Sequence, residues 1–376
     1  METVNKKKLV VIGANDFQNQ LILKAKKRGF ETHVFAWKEG AVGEKTADFF
    51  YPISITEKDA ILEECKKINP DGIVSIASDL AAITVNYVAE KLGLTGNGME
   101  SAMLATNKYL MRKAFEKNGD PSPRNYRSDE LTDEVLKELK FPLIVKPVDR
   151  SGSRAITKVE QIENLHSAIA SAEEVSFEKK AMIEEYVRGQ EYSVEYISYK
   201  GKHTFLALTQ KFTTGAPHFI ETGHIQPADV EEKILMNVKH IVEHALDTLN
   251  IKNGASHSEI KIDEQGNIVI IEIGGRMGGD CIGSDLVQLS TGYDFVNMVI
   301  DVACGEAPSF EKVCEPAVAK IEFVFGPEDM KRIEQIKREC PEQIYRISDM
   351  EVFDGHTVID SGSRYGYIIT RSKEGC

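Results

Sequence analysis

Over residues 1–118, short apolar runs alternate with segments of helical periodicity. The run at 9–12 is followed by a Gly-Ala-Asn-Asp turn, after which Phe17, Leu21 and Ala25 recur at intervals of four residues, up to Gly29. This spacing places the three side chains on one face of a helix. The segment therefore predicts a strand, a turn and a helix.

The alternation of apolar runs and helical segments continues along the N-terminal part of the chain. Strands are expected at 32–37 and 72–76, and a helix is expected over 81–92, closed by Gly93. Glycine commonly follows the last residue of a helix. Because strands that alternate with helices usually form a parallel sheet, we predict an open α/β domain.

Helix-breaking residues at 118–127, among them Gly119, Pro121 and Pro123, predict a linker. Beyond it, strand-like runs at 143–146, 181–187, 192–198 and 204–210 are separated by glycine turns, and one helical stretch covers 160–172.

Two further features complete the β-rich part. Residues 259–262 and 268–273 flank a Glu-Gln-Gly-Asn turn at 264–267 and predict a hairpin. A last block, from 317–325 through 365–370, predicts a small mixed β segment. The fold class is thus α/β, or α+β overall. Its expected units are the N-terminal domain at 1–118, a subdomain at 119–186, a central antiparallel β domain at 187–310 and a C-terminal β segment at 311–376, packed on the central domain.

Composition narrows the classes of partner. The 376 residues include 46 Lys plus Arg against 59 Asp plus Glu, a net charge of −13, and no basic tract is present. Such a balance repels nucleic acids and anionic membranes. The apolar run that follows Lys6-Lys7-Lys8 is too short for a signal peptide or a membrane span.

The cysteines indicate a reducing compartment. Cys65, Cys281, Cys304, Cys314, Cys340 and Cys376 show none of the close pairings that zinc sites and disulfide scaffolds use. We therefore expect reduced thiols in a cytoplasmic protein.

Gly13 follows the first strand, as the first glycine of a dinucleotide fingerprint does. However, Asn15 and Gln18 stand where that fingerprint has glycines. A tight turn between strand and helix is the favoured interpretation, and an NAD-linked enzyme is disfavoured. The backbone N–H groups of such a turn remain able to dock a small anion.

The hairpin carries two carboxylates that suggest a metal site. Glu259 and Glu272 flank the turn, so that neighbouring strands present both side chains to one face. Two such carboxylates repel each other unless a cation lies between them, and Mg²⁺ prefers a few carboxylate oxygens together with phosphate oxygens. The alternative is a pair of exposed glutamates on a solvated face.

A glycine-rich loop follows directly. In Gly-Gly-Arg-Met-Gly-Gly-Asp, residues 274–280, the glycines let the backbone approach a ligand closely, and Arg276 offers a planar fork for a carboxylate or a phosphate. Without the adjacent Glu272, a flexible turn would explain the loop equally well.

An adenosine slot is predicted where the strand at 181–187 ends. Backbone groups at the exit of Glu184-Glu-Tyr-Val187 can pair with a purine edge, and Glu191 can accept both ribose hydroxyl protons. An ordinary acidic turn is the alternative.

Two lysines suit phosphate groups. Lys146 ends an apolar strand, where an unpaired ammonium group is costly to bury, so it needs an anionic partner. Lys108 opens a helix, and an exposed lysine is the alternative for it. The loop 149–154, Asp-Arg-Ser-Gly-Ser-Arg, contains small residues that suit a lid over phosphates.

Taken in chain order, these residues resemble the ATP-grasp superfamily over about residues 1–310. The resemblance implies an ATP-grasp fold in which the N-terminal domain, a mobile lid at 119–186 and the central domain close on ATP. It implies that the phosphates are met by Lys108, Lys146 and the loop residues Ser151, Gly152 and Ser153. It also implies that Glu184 and Val187 face adenine, with Glu185 beside them, and that Glu191 holds the ribose. Glu259 and Glu272 are implied as the ligands of Mg²⁺ or Mn²⁺.

One departure from the superfamily is visible. Many members carry an asparagine metal ligand two residues after the second glutamate, where this chain has Gly274. The Glu-x-x-x-Arg version with a glycine-rich continuation is similar to the carboxylate–amine ligases that join amino acids. In that subgroup a Glu-x-x-His element helps to recognise the amino acid, and Glu221-Thr-Gly-His224 fits it.

The subgroup resemblance also implies substrate contacts from Arg276 and from Gly278 and Gly279. The expected reaction is phosphorylation of a substrate carboxylate by ATP, followed by transfer of the acyl group to an amine. A bicarbonate-dependent or purine-pathway ligase and a nucleotide-binding module without turnover are the alternatives. The expected partners are small molecules and, as in other members, a second copy of the chain. His224 and His257 are the candidate bases, and Ser78 and Asp79 are candidate cleft residues.

Overall fold

The computed structural model describes residues 6–150, 152, 154–216 and 219–372. The N-terminal domain contains β1 (Lys8–Ile12), α1 (Asp16–Lys27), β2 (Glu31–Phe35), β3 (Phe49–Tyr51), α2 (Lys58–Ile68), β4 (Gly72–Val74), α3 (Asp79–Leu92), α4 (Gly98–Thr106) and α5 (Lys108–Asn118). Its strands are parallel and lie in the order β3-β2-β1-β4. The predicted open α/β domain is therefore present, although β2 and β4 each end two residues earlier than expected.

The turn after β1 is closed by a side chain. Asn15 caps α1, and Gln18 completes the cap while its Nε2 donates to the Ile76 carbonyl at 2.7 Å. Gly13 has a φ of +99°, and a Cβ there would lie 3.0 Å from the Gln18 side chain. Gln18 thus fills the space above Gly13, and the glycine serves as a tight turn.

Residues 119–186, predicted as the lid and called the lid subdomain below, contain an antiparallel sheet. The lid subdomain contains β5 (Asn125–Arg127), α6 (Asp133–Glu138), β6 (Leu143–Pro147), β7 (Thr157–Val159), α7 (Leu165–Val175) and β8 (Ala181–Glu185). The strand order is β5-β8-β6-β7. The helix expected over 160–172 begins later, as α7, after a 3₁₀ turn at Ile162–Asn164.

The rest of the chain shares one antiparallel sheet. Its elements are β9 (Gln190–Tyr199), β10 (Lys202–Thr213), β11 (Glu221–Gln226), α8 (Glu232–Thr248), β12 (Gly254–Ile262), β13 (Ile268–Gly274), α9 (Val287–Thr291), α10 (Phe295–Ala303), β14 (Val318–Val324), α11 (Pro327–Glu339), β15 (Ile344–Ile347) and β16 (Gly366–Ser372). The order β13-β12-β9-β10-β11-β14-β16-β15 makes the C-terminal strands a continuation of the central sheet through the β11–β14 pair. The block expected to pack on the central domain is thus joined to it edge to edge.

Two cores hold the sheets in place. One combines Leu9 and Val34 of the N-terminal sheet with Phe295 and Ile300 of α10, so that the N-terminal domain packs against the central part. The other lies between α8 and the central sheet, including β13. The strands that carry the predicted carboxylates are therefore buttressed by α8, together with Met111 and Phe115 of α5.

The structure bears on the predictions about disulfides and membrane spans. The five cysteines among the described residues form no disulfide, and Cys376 lies outside that part of the chain. Nowhere in the described ranges does a helix combine the length and the apolar character needed to cross a membrane.

Residues of α8 allow a test of how far this packing stabilises the fold. Leu246 is fully buried, whereas Met236 on the same helix is 55% exposed. We expect Leu246→Ala to lower the free energy of unfolding by about 2–5 kcal/mol, because it removes buried methyl groups and leaves a cavity. Met236→Ala should change it by no more than about 0.5 kcal/mol. Urea unfolding followed by circular dichroism measures both values, and equal effects would contradict the packing.

Candidate functional site

A cavity opens between the central sheet, the lid subdomain and the first turns of α3 and α5. Of the predicted site residues, its lining includes Lys108, Lys146, Gly152, Glu184, Glu185, Val187, Glu191, Glu221, Glu259, Glu272 and Arg276. We refer to it as the first cavity. Ser151 and Ser153 lie outside the described residues. Lys108 and Glu272, which are 164 positions apart in the chain, thus converge on one space.

The two hairpin glutamates are direct cross-strand partners. Glu259 of β12 pairs with Glu272 of β13, and a bulge follows Glu259. Side chains at opposed positions of antiparallel strands lie on the same face of the sheet. Each carboxylate meets a different lysine: Lys108 Nζ lies 2.7 Å from Glu272 Oε1, and Lys211 Nζ lies 2.6 Å from Glu259 Oε1.

Lys211 is a site residue that the sequence analysis missed. Its buried ammonium group also lies 3.2 Å from Glu191 and 3.7 Å from Glu221. Burial opposes the charge of this lysine, but the three carboxylates outweigh burial and raise its pKa well above the usual value. Lys211 directly follows the strand predicted at 204–210, so the cost of burying an unpaired ammonium group, which indicated an anionic partner for Lys146, applies to it as well.

The charge balance extends to Glu259. Burial alone would raise the pKa of this carboxyl group, but Lys211 and His257 hold it well below the usual value. Glu259 is therefore ionised throughout the neutral range and is in the form that can ligate a cation.

The donor set fits a magnesium ion bound together with phosphate. Among the described residues, no group of three or more His, Cys, Asp or Glu side chains is arranged to hold a metal by itself. Mg²⁺ typically takes one or two protein carboxylates and completes its octahedron with phosphate oxygens and water. Glu259 and Glu272 match that requirement.

The absence of an asparagine at 274 has a steric reason. A Cβ on Gly274 would lie 3.1 Å from Asp79 Oδ1 and 3.3 Å from the Arg276 guanidinium. The ion pair between these two residues therefore occupies the space that a third ligand side chain would need.

Asp79 and Arg276 join the N-terminal domain to the central domain. Arg276 Nε donates to Asp79 Oδ1 at 2.8 Å and its Nη2 to Asp79 Oδ2 at 3.1 Å. Burial opposes both charges, but the pairing lowers the pKa of Asp79 and raises that of Arg276. Asp79 lines the first cavity, as expected. The guanidinium group of Arg276, which was predicted to bind the substrate, forms hydrogen bonds with Asp79 in this structure.

A buried cluster lies below the lysine at the end of β6. Lys146 Nζ lies 2.6 Å from Glu184 Oε2, and Arg112 Nε lies 2.7 Å from Glu184 Oε1. Burial lowers the pKa of Lys146. For Glu184, burial acts in the opposite sense, but the two cations keep its pKa below the usual value. The protein anion that Lys146 requires is thus Glu184, and the contact of Glu184 with adenine stays a prediction.

The chain beyond β8 offers backbone groups to the cavity. The N–H groups of Glu185 and Tyr186 donate to the carbonyls of Arg124 and Pro142, each at 3.0 Å. Within the described residues the N–H of Val187 donates to no partner, while its carbonyl accepts from Lys261 Nζ at 3.3 Å. One donor therefore remains available where the adenosine slot was predicted.

Glu221 and His224 share a face despite their three-residue spacing. Thr213 pairs with Glu221 and Lys211 with His224, so that Thr222 is an extra residue in β11. An extra residue of this kind shifts the alternation of side chains by one position. Glu221 accepts from Ser361 Oγ at 2.8 Å and lines the first cavity.

His224 lies deeper and is not part of the lining. Its ring packs edge-on against Phe323, and its Nε2 lies 3.5 Å from Asp280, which Arg364 grips with two nitrogens at 2.6 and 3.0 Å. Burial lowers the pKa of His224, and Asp280 offsets this only in part. The predicted Glu-x-x-His pair thus contributes its glutamate to the cavity.

Gly278 and Gly279 also lie behind the cavity wall. The N–H of Gly278 donates to the buried Glu195 at 3.1 Å, and a Cβ there would come within 2.6 Å of His257 and of Glu195. A Cβ on Gly279 would meet Ala77 at 3.8 Å. Gly278 therefore leaves room for Glu195 and His257 beside the loop, and the substrate contacts of both glycines stay a prediction.

His257 is the histidine that reaches the cavity. Its Nδ1 is hydrogen-bonded to Glu195, and its Nε2 lies 3.6 Å from Glu259. Of the two histidines considered as bases, His257 lines the cavity and His224 does not.

Comparison with known families agrees with this geometry. Residues 139–285 match the family model described as the ATP-grasp domain. Over these residues the match confirms the resemblance of the motifs to the ATP-grasp superfamily.

Two relatives by sequence are informative. Alanine–anticapsin ligase of Bacillus subtilis is 28% identical over 293 residues, which cover 69% of this chain and 61% of that protein. The carbamoyl phosphate synthase large chain of Thermoanaerobacter sp. is 22% identical over 263 residues, which cover 69% of this chain and 24% of that one. The aligned region thus spans less than two thirds of each relative.

Solved structures share the fold over nearly the whole chain. The L-amino acid ligase from Bacillus licheniformis has a TM-score of 0.80 at 22% identity, covering 98% of this chain and 94% of that one. Phosphoribosylglycinamide synthetase from Anaerococcus prevotii has a TM-score of 0.78 at 22% identity, covering 98% and 95%. The structure therefore has the ATP-grasp fold, as predicted.

The buried His224 predicts a pH dependence of stability. Its pKa in the folded protein is below the value of about 6.5 for an unfolded chain, so the folded state disfavours its protonation. Its contribution is present above about pH 6.5 and is lost as the pH falls towards the folded pKa. Between about pH 7.5 and about pH 5.5, the free energy of unfolding should fall more for the wild type than for His224→Gln.

Urea unfolding at the two pH values measures this difference. The matched control is His166→Gln, since His166 is exposed on α7. That variant should retain the pH dependence of the wild type. If His224→Gln also retains the pH dependence of the wild type, the inference that His224 is buried as a neutral imidazole is contradicted.

Proposed function

We propose that this protein is an ATP- and Mg²⁺-dependent carboxylate–amine ligase. In the first step an oxygen of the substrate carboxylate attacks the γ-phosphorus of ATP, giving an acyl phosphate and ADP. In the second step an amine attacks the acyl carbon, inorganic phosphate leaves, and the nitrogen gives up a proton. The product is an amide or a peptide bond.

The observation that carries the proposal is the pairing of Glu259 and Glu272 with Lys211 and Lys108. All four side chains line the first cavity, and every charge has a partner of opposite sign. A triphosphate with its cation presents the same alternation of charge, so it can exchange with these pairs without leaving a buried charge uncompensated. The likeness to alanine–anticapsin ligase supports the same class of reaction.

The residues of the chain have separate tasks in the first step. Glu259 and Glu272 would hold Mg²⁺, which when bound neutralises the charge on the phosphate oxygens. Lys108 and Lys146 would contact the phosphates, and the free N–H of Val187 would meet the edge of adenine, with Glu191 at the ribose. Catalysis then rests on placement and on stabilisation of the charge that develops in phosphoryl transfer.

The second step requires a proton acceptor for the attacking ammonium group. His257 reaches the cavity and is oriented by the buried Glu195 through Nδ1, which leaves Nε2 on the side of Glu259, 3.6 Å away. This arrangement suits it better for the task than His224. Arg276 and Glu221 are the two remaining polar residues of the predicted substrate set that line the cavity. Arg276 would meet the acyl phosphate, and Glu221 would meet the ammonium group of an amino acid.

A bicarbonate-dependent ligase is the second candidate, and the likeness to carbamoyl phosphate synthase favours it. ADP release separates the candidates. The protein is incubated with ATP and Mg²⁺, first with amino acids singly and in pairs and then with bicarbonate, and the mass of any product is determined. ADP formed only with bicarbonate would overturn the proposed amino-acid substrate, and no ADP with any acceptor would indicate a binding module.

Substitution of one carboxylate tests the metal site. We expect Glu272→Gln to lower the rate of ADP formation about 100-fold or more, because it removes a charge that balances Lys108 and binds the cation. The control is Glu264→Gln, in the exposed turn of the same hairpin, which should keep wild-type activity. Steady-state ADP assays measure both, and full activity of Glu272→Gln would refute the metal assignment.

A further inference from the structure

A second cavity adjoins the first at its lysine end. It lies between α3, α4 and the lid subdomain, and it shares part of its wall with the first cavity. The shared residues are Asp79, Lys108, Arg150, Arg154 and Glu272. The two spaces therefore meet where the phosphates of ATP would end.

The walls that belong to the second cavity alone are largely apolar. Leu80 and Ile83 of α3, Met103 of α4 and Phe177 of the lid subdomain line it and do not line the first cavity. Met103 is 37% exposed and Phe177 60% exposed. Exposed large hydrophobic side chains grouped around a concave surface mark a binding site for an apolar group.

The carboxylates of the second cavity all have hydrogen-bond donors within the protein. Asp79 is bound by Arg276 and Glu272 by Lys108, as described above. Asp149 accepts from the N–H groups of Phe177 and Glu178, and Glu178 accepts from Asn107 at 2.6 Å. All the carboxylates that line this cavity thus have donors.

The two arginines at the junction have no such partner. Arg150 lies over the Phe177 ring at 4.4 Å, and neither it nor Arg154 forms an ion pair within the described ranges. A guanidinium group presents a planar fork that matches a carboxylate or a phosphate. The junction therefore offers anion-binding groups, and the far end of the second cavity offers apolar ones.

From this arrangement we propose that the second cavity binds the apolar side chain of the carboxylate substrate, with its carboxylate held at the junction by Arg150 and Arg154. The inference rests on the proposed function and specifies its substrate class: a carboxylic acid, such as an amino acid, with an apolar side chain of about the size of leucine. In this orientation the carboxylate points towards the γ-phosphate and the side chain points away from it.

Binding measurements test the proposal without relying on turnover. Isothermal titration calorimetry with ADP and Mg²⁺ present compares L-leucine with glycine. L-leucine should bind about 10-fold more tightly or better, because its side chain leaves water on entering the apolar walls. Equal affinity for the two amino acids, or no binding of L-leucine, would overturn the proposal.

Substitution at Met103 locates the side-chain site. Met103→Trp replaces a flexible side chain by a bulky indole ring that fills part of the cavity. It should weaken L-leucine binding about 10-fold or more, with the affinity for ADP unchanged. The matched control is Met236→Trp, an exposed methionine on α8 away from both cavities. It should change neither affinity. Unchanged L-leucine binding in Met103→Trp would overturn the proposal.

Arg154→Gln tests the other end of the substrate. This variant should lower the affinities for L-leucine and for glycine by the same factor, since both amino acids carry the carboxylate. A loss of affinity confined to L-leucine would contradict the proposed placement of the carboxylate at Arg154.

The two proposals fail separately. If L-leucine binds as expected but no acid stimulates ADP release, the proposed function is wrong and the side-chain site stands. If other acids release ADP while L-leucine does not bind, the ligase reaction stands and the side-chain site is wrong.

Discussion

The pairing of two carboxylates on one hairpin with two ammonium groups from elsewhere in the chain is the interaction on which this site depends. Glu259 and Glu272 are opposite each other in the β12–β13 ladder, and alone they would repel. Lys211 comes from β10, on the same sheet, and Lys108 comes from the start of α5. The hairpin can hold its two negative charges side by side because two separate elements deliver a cation to each.

These charges also connect the domains. Lys108 and Glu272 join the N-terminal domain to the central sheet, as do Asp79 and Arg276, while Arg112 of α5 reaches Glu184 of the lid subdomain. Burial makes such pairs costly to break, since removal of one partner leaves the other uncompensated. A charged ligand that entered the first cavity would therefore act on the same groups that hold the three parts of the chain together.

Small departures from regular backbone decide which side chains reach the ligand space. The extra residue in β11 brings Glu221 and His224 to one face, and burial under Phe323 then keeps His224 out of the cavity. Gly278 allows Glu195 and His257 to approach the loop, so that His257 is oriented towards Glu259. Each of these effects depends on contacts between residues that are distant in the chain.

The sequence by itself determined β1, α1, β2, β4 and α3 of the N-terminal domain, the hairpin with Glu259 and Glu272, and the need of Lys146 for an anion, but it did not predict β3, α2 or α4. The predicted features follow from local periodicity, from turn residues and from the cost of an unpaired buried charge, all of which are properties of short segments. Only the tertiary structure decided that Glu184 supplies the anion, that Lys211 and Arg112 belong to the charge network, that Asp79 engages Arg276, and that Gly278 and Gly279 support the wall without lining it. The partner of a buried charge is set by which strands become neighbours, and strand order in a sheet is not written in the spacing of residues along one segment.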